Sequence, residues 1–178
     1  NPWGLVHAQQ SDRNRTMVTG HVDLKFNILP GLTFTTTNGI DFNDYKGYSL
    51  SSAKLFGKTD MGNNNTQVMA LQTTNNLTYV GKWGQHNLTA TGVWEATSHE
   101  TRGMSIDGKN VAQEFLGYWN VKNAANRDAD NSYSKWTMLS GVARVMYNYA
   151  DRYMLTGTLR ADGSSRFTNK KWGYFPSV

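Results

Sequence analysis

The chain has 178 residues, no cysteine and a formal net charge of +5. The lack of cysteine excludes disulfide frameworks, thiolate metal sites and cysteine nucleophiles. The positive charge is local: residues 152–178 carry five basic side chains against one carboxylate, Asp162, so the rest of the chain is nearly neutral. A protein that binds duplex nucleic acid shows an extended basic stripe, so this charge does not predict a nucleic-acid partner.

The mean hydropathy of −0.59 is low, and no apolar stretch approaches the roughly 20 residues of a membrane-spanning helix. A low average does not exclude strands that cross a membrane, because only alternate residues of such strands face lipid. The periodicity of the sequence therefore decides more than its average composition.

The first predicted hairpin is marked by alternation with a period of two. Apolar and polar residues alternate over residues 16–28 and again over 32–42, on either side of the turn-forming dipeptide Pro30-Gly31. Successive side chains of a strand point to opposite faces. Each run thus predicts a strand with one apolar and one polar face, and the short connection predicts antiparallel pairing.

Two more hairpins repeat this plan along the chain. The predicted strands are residues 66–80 and 87–97, then 139–148 and 153–160, with turns at 81–84 and 149–152. Residues 173–178 read as the start of a further strand that the end of the sequence cuts off.

Long polar segments are predicted between the hairpins. They cover residues 1–15, 43–65, 98–133 and 161–173, with a short helix at 110–118 and a charged tip at 120–132. Short turns thus gather at one end of the strands and long loops at the other, as in outer-membrane barrels, whose strands need about 9–11 residues to cross.

The fold prediction is therefore all-β. It is an antiparallel, up-and-down transmembrane β-barrel segment of about six strands in three hairpins, with short periplasmic turns and long extracellular loops. Polar faces rich in Thr, Asn and Gln suit a wet lumen, which is also the place for Arg144 and Arg160, since charge facing lipid at the midplane costs about 2–4 kcal/mol. Six strands cannot close such a barrel. Residues 1–178 are thus expected to be part of one larger outer-membrane barrel domain.

Two motifs near the end of the chain carry a family resemblance. Their residues are Arg160, Asp162, Gly163, Ser164, Ser165 and Phe167, followed by Trp172, Gly173, Phe175, Pro176 and Ser177. In this order they resemble the barrel of SusC/RagA-like TonB-dependent outer-membrane transporters. Weaker similarities upstream are Asn1-Pro2-Trp3, Arg13 or Arg15 before a strand, residues 28–34, and residues 86–89 with Gly92. One departure is Met146, where the family often carries a polar residue facing the lumen.

The resemblance implies a 22-stranded barrel with an N-terminal plug in the outer membrane of a Gram-negative bacterium. It also implies coupling to TonB, a SusD-like lipoprotein as a lid, and import of oligosaccharides or peptides without enzymatic activity. The plug and the remaining strands are expected to lie outside these 178 residues, so no energy-coupling residue is carried over.

Aromatic residues of the predicted loops are the candidate contacts for cargo or for the lid protein, because aromatic faces stack on sugar rings and pack in interfaces. They are Tyr45, Tyr48, Phe115, Tyr118, Trp119 and Trp172. Packing within the loops is the alternative for each.

No catalytic, cofactor or metal site is predicted. The four histidines lack metal-ligand spacing, and residues 128–132 (DADNS) lack the glycine and glutamate of a calcium loop. Ser164 and Ser165 have no His–Asp arrangement around them, and Gly163 is expected to serve a tight turn with positive φ.

A secreted all-β carbohydrate-binding or adhesin domain is the alternative from another class, and a piece of a β-rich glycosidase is a third. A soluble domain would bury Val22, Leu24, Phe26, Leu139 and Val145 against another layer, whereas a barrel leaves them exposed to lipid. A glycosidase would need two carboxylates converging in a cleft.

Overall fold

The computed structural model of the protein describes residues 8–178, apart from the side chain of Leu55. The predicted similarity at Asn1-Pro2-Trp3, and His7, lie outside the described residues. The elements in order are β1 (Gln9–Leu29), β2 (Leu32–Ser51), α1 (Ala53–Phe56), β3 (Asp60–Trp83), β4 (His86–Val111), two 3₁₀ segments (Glu114–Trp119 and Val121–Asn123), β5 (Ala124–Tyr149), β6 (Tyr153–Ser164) and β7 (Trp172–Ser177).

Within residues 8–178, seven strands form one antiparallel sheet in sequence order, β1 to β7, and this sheet does not close. The register is given by pairs such as Leu139–Gly163 between β5 and β6 and Gly163–Trp172 between β6 and β7. The all-β, up-and-down prediction is confirmed, and the run at residues 173–178 is a seventh strand, β7.

All three hairpins are found with short turns. The turns lie at Pro30–Gly31, Gly84–Gln85 and residues 150–152. Gly31 and Gly84 have φ of 82° and 58°, which glycine adopts without a steric cost. The second turn was predicted four residues long, at 81–84. It is a two-residue turn because β3 continues to Trp83.

The predicted long loops were too long. β1 already begins at Gln9, β2 runs to Ser51, β4 to Val111, and β5 starts at Ala124, so that residues 128–132 lie in a strand and not at a loop tip. Side-chain hydrogen bonds such as that from Asn65 to Asp44, at 3.0 Å, join neighbouring strands here. Apolar residues such as Leu50 and Val111 are too few in these segments to give a period-two signal in the sequence.

The position predicted for the helix, residues 110–118, was also wrong. Val111 ends β4, and a 3₁₀ segment follows at Glu114–Trp119 with a kink at Gly117, whose φ is 64°. That glycine turns the chain where an L side chain would be strained.

The chain divides into two compact units. The first unit contains the segment up to Val18, with Phe42–Met69 and Glu100–Ser134; the second contains Thr19–Asp41, Ala70–His99 and Lys135–Val178.

The first unit has a small core of its own. Leu50, Met61, Val111 and Ala124 are buried together. Tyr118 and Val121, from the segment between β4 and β5, pack against them. This segment is therefore a folded part of the first unit.

The second unit leaves its apolar side chains exposed. Each of the five residues that distinguish a soluble domain from a barrel is 47–59% exposed: Val22, Leu24, Phe26, Leu139 and Val145. Among the described residues of this unit, only Ser140 and Gly163 are buried. A soluble sandwich would have covered this face, so the exposure favours the barrel.

The polar side chains of the second unit bond to one another. Thr74 donates to Glu95 at 3.2 Å, and the Arg160 guanidinium donates to Asp162 at 2.7 Å. Such pairs suit a face that meets water. Over residues 8–178, none of the helices has the length and apolar character of a membrane span.

Candidate functional site

Three of the candidate aromatic residues form one cluster in the first unit. The ring centroid of Tyr48 lies 5.4 Å from that of Tyr118 and 4.8 Å from that of Trp119, and the last two rings are 5.2 Å apart. The Tyr118 hydroxyl lies 3.5 Å from an Asp12 carboxylate oxygen. Trp119 remains 69% exposed, so the cluster offers one open indole face. We call Tyr48, Tyr118 and Trp119 the aromatic cluster.

The other candidates lie apart from the aromatic cluster. The Arg15 guanidinium carbon lies 4.9 Å from the centroid of the Tyr45 ring, a cation–π contact. Phe115 is 83% exposed. Trp172 belongs to the second unit, where its ring covers Gly163.

The segment that carries Tyr118 and Trp119 is fastened by polar groups distant in sequence. The Thr59 hydroxyl donates to the Glu114 carboxylate at 3.1 Å and accepts from the Ala53 amide at 3.1 Å. The Asn63 side chain donates to the Tyr118 carbonyl at 3.2 Å. These hydrogen bonds hold the backbone segment that carries Tyr118 and Trp119, so the rings of the aromatic cluster are preorganised.

Glu114 is the acidic centre of this arrangement. A hydrogen bond from Ser52, followed by those from Thr59 and the Ala53 amide, lowers the pKa of the Glu114 carboxyl below its ordinary value of 4.5 against the opposing effect of burial. Ser52 and Thr59 are themselves almost fully buried. Sequence reasoning missed this contact because Thr59 and Glu114 are 55 residues apart and neither belongs to a recognisable motif.

A polar cleft of about 500 Å³ lies in the same unit. Arg13, Arg15 and Lys46 line it together with Asp12 and Asp107, and the rest of the lining is mainly Ser, Asn, Gly and Tyr, including Tyr45 and Tyr48. Hydroxyl and amide groups beside aromatic rings are the usual means of holding a polar ligand in orientation.

Two glycines shape this cleft. A Cβ on Gly47 would clash with the Asn64 side-chain oxygen, and one on Gly62 would come within 2.9 Å of an Asp107 oxygen. Because Gly47 and Gly62 have no side chains, the side chains of Asn64 and Asp107 can lie against their backbone.

The family-motif residues of the second unit have structural contacts. Arg160 pairs with Asp162, and Ser165 bonds the backbone of Thr137 twice, through its amide at 2.9 Å and its hydroxyl at 2.8 Å. Ser164 accepts from the Arg166 amide at 3.3 Å. The motif thus fastens β6 to β5 at the start of the next connection.

The expectation for Gly163 was wrong. Its φ is not positive, and it lies in β6 instead of in a turn. A Cβ there would lie 2.9 Å from the Trp172 ring, so glycine is needed because the indole rests on its backbone. Similarly, the Phe175 ring lies against Gly173, Pro176 pairs with Leu159, and Phe167 is exposed.

Within residues 8–178 no three His, Asp or Glu side chains are grouped closely enough to hold a metal ion.

Comparison with known proteins supports the resemblance. The chain is 29% identical to the TonB-dependent receptor P3 of Formosa agariphila over 99% of its length and 27% identical to the TonB-dependent receptor SusC of Bacteroides thetaiotaomicron over 100%. It spans 18% of the length of each. No protein-family profile matches the sequence.

Solved structures show the same fold. The RagAB peptide transporter matches 97% of this chain with a TM-score of 0.88 at 16% identity, and the chain covers 20% of that protein. The RagAB peptide importer in its open-open state gives a TM-score of 0.83 over 97% of the chain. The sequence and fold comparisons together confirm the predicted likeness.

Proposed function

We propose that this chain, a seven-stranded barrel segment of a SusC/RagA-like TonB-dependent outer-membrane transporter, works within an importer that takes up oligosaccharides or peptides. One observation carries the proposal: the apolar face of the second unit is exposed along its strands, as required of a wall between lipid and water. Likeness to TonB-dependent receptors along essentially the whole chain supports it.

The partners follow from the same likeness. The relatives are named TonB-dependent receptors, which supports TonB as the energy source, and a SusD-like lipoprotein is the expected lid. We propose that no chemistry is performed on the cargo.

The aromatic cluster and the polar cleft are the parts of this chain that we assign to cargo or to the lid protein. An exposed indole stacks on a sugar ring or packs on a partner, and the cleft supplies hydrogen bonds. Both lie in the first unit, which has its own core and so holds them in a defined geometry.

The test is uptake by the full-length transporter in cells that depend on it for growth on one oligosaccharide or peptide. We expect Trp119→Ala to lower uptake, since it removes the exposed face of the aromatic cluster. Phe115→Ala is the matched control, because Phe115 is exposed in the same segment but outside the cluster. Equal uptake by both variants and the wild type would remove the cluster from the proposal, and failure of a TonB deletion to stop uptake would remove the transport assignment.

The soluble alternative has its own test. Residues 1–178 expressed alone in detergent-free buffer are expected to aggregate, because their large apolar face has no cover. A cooperative, monomeric fold under these conditions would support a secreted carbohydrate-binding domain instead.

A further inference from the structure

The second unit contains a hollow of about 710 Å³ that the proposed transport function does not use. Its floor includes the small or short side chains of Ala96 and Ser98, and Leu71, Leu139 and Trp172 are among the larger side chains that line it. The volume lies within the range of small-molecule sites, which are mostly apolar with a few polar groups.

The hollow lies on the apolar face of the sheet. Leu139 is paired directly with Gly163, and Gly163 with Trp172, so the three residues project from one face. Leu139 shares that face with Val145 by its period of two, and both are about half exposed. The face that surrounds the hollow is therefore the one assigned to lipid.

The position of the hollow along the strands indicates the membrane leaflet in which it lies. The turn at residues 150–152 closes one end of β5 and β6, whereas Leu139 and Gly163 lie near the other end of the same pair. Short turns are periplasmic in this class of barrel. The hollow therefore belongs to the outer leaflet, and Trp172 stands at its rim, where tryptophan is enriched at membrane interfaces.

Positive charge stands beside the hollow. Lys171 lines it and is exposed, and the connection between β6 and β7 also carries Arg166 and Lys170 with no acidic residue among residues 166–171. The guanidinium of Arg166 stacks on the ring of Trp136 at 4.5 Å. Basic side chains at a membrane surface attract anionic lipid head groups, and long lysine side chains reach the interface while their stems stay in apolar surroundings.

We propose that this hollow binds an anionic, phosphate-bearing lipid of the outer leaflet. One acyl chain lies over Ala96 and Ser98 against Leu139 and Trp172, and the phosphate lies at the Lys171 ammonium group. The apolar floor matches an acyl chain and the adjacent cations match a phosphate, which together describe a lipid better than a protein partner. Trp172 is then a lipid contact, in place of the cargo or lid contact considered from the sequence.

The proposal depends on the outer-membrane location and not on the cargo. It is therefore tested without transport, by binding to the purified full-length protein in non-ionic detergent. The probes are bisphosphorylated lipid A, monophosphorylated lipid A, phosphatidylcholine and inorganic phosphate, and native mass spectrometry counts the bound lipid. We expect retention to fall in that order, with no displacement of lipid by inorganic phosphate. Equal retention of phosphatidylcholine, or capture of inorganic phosphate alone, would overturn the proposal.

Two variants separate the acyl and phosphate contacts. Ala96→Phe fills the floor and should lower retention of both forms of lipid A at least ten-fold. Lys171→Gln should weaken bisphosphorylated lipid A about five-fold, the size expected for one basic residue at a membrane surface, and leave phosphatidylcholine unchanged.

The matched controls are Ala90→Phe, on the same face of β4 but outside this hollow, and Arg152→Gln, in the turn at the opposite end of β5 and β6. Both should retain lipid A like the wild type. Heat-modifiable migration in electrophoresis establishes that each variant is folded. If the Ala90→Phe control lost as much lipid as Ala96→Phe, or if both hollow variants bound like the wild type, the assignment would be wrong.

Discussion

The two units of the chain are built from the same strands but are stabilised differently. The first unit buries Leu50, Met61, Val111 and Ala124 in a core, and side-chain hydrogen bonds such as that from Thr59 to Glu114 join segments far apart in sequence. The second unit has no comparable cluster among its described residues and exposes Leu24, Phe26 and many similar side chains. A folded protein in water is stabilised as the first unit is, whereas the second requires lipid as the solvent of one face.

The largest expected effect tests the lipid face of the second unit. Leu24→Arg places a charge near the middle of the apolar run of β1, where it should cost about 2–4 kcal/mol of unfolding free energy in lipid vesicles. Lys25→Arg, the next residue on the opposite face, should change this free energy by less than about 0.5 kcal/mol. Urea unfolding of the full-length protein in vesicles measures both. Equal effects would mean that the two faces of β1 meet the same solvent.

A smaller effect is expected where Trp172 rests on Gly163. Gly163→Val forces a side chain against the indole, where a Cβ has only 2.9 Å, and overpacking of this kind costs about 1–3 kcal/mol. The double variant Gly163→Val, Trp172→Ala should be less destabilised than the sum of the two single variants, which a double-mutant cycle of unfolding free energies detects. Strict additivity would show that the ring and the glycine backbone do not interact.

The smallest effect concerns the hydrogen bonds by which Glu114 holds its segment in the first unit. The pKa of Glu114 is lowered in the folded state, so its contribution to stability is present above the ordinary value of 4.5 and is lost as the pH falls through the lowered folded value. We expect protection of residues 113–123 from hydrogen exchange to decrease over that acidic range. Glu114→Gln should exchange several-fold faster at neutral pH and lose the pH dependence. A wild type whose protection stays flat below pH 4.5 would argue against Glu114 as the fastening group.

Sequence reasoning succeeded where one face of a strand is apolar. The hairpin of β5 and β6 was predicted because apolar residues recur with a period of two along each strand, as at Leu139 and Val145 in β5 and at Leu155 in β6. This period follows from backbone geometry alone. Sequence reasoning failed at the ends of β2 and β4 and at the start of β5, where apolar residues such as Leu50 and Val111 are too few to give an alternating hydropathy signal. Predicted loops there proved to be strands.

The candidate site was predicted only in part. Aromatic residues in polar surroundings pointed to Tyr48, Tyr118 and Trp119, and the structure brings these three together. Tyr45 and Trp172 have the same sequence signature but lie against Arg15 and Gly163. Which rings share a cluster depends on contacts over about 70 residues of chain, and no local pattern encodes them.

The sequence by itself determined the three hairpins, the all-β class and the likeness to TonB-dependent transporters, because each of these follows from residue periodicity or from a contiguous motif. Only the tertiary structure decided that Glu114 is held by Thr59, that Gly163 serves the Trp172 ring, and that small residues of neighbouring strands leave a hollow on the apolar face. The physical reason is the strand register, which places residues from distant parts of the chain side by side and is fixed by the whole sheet.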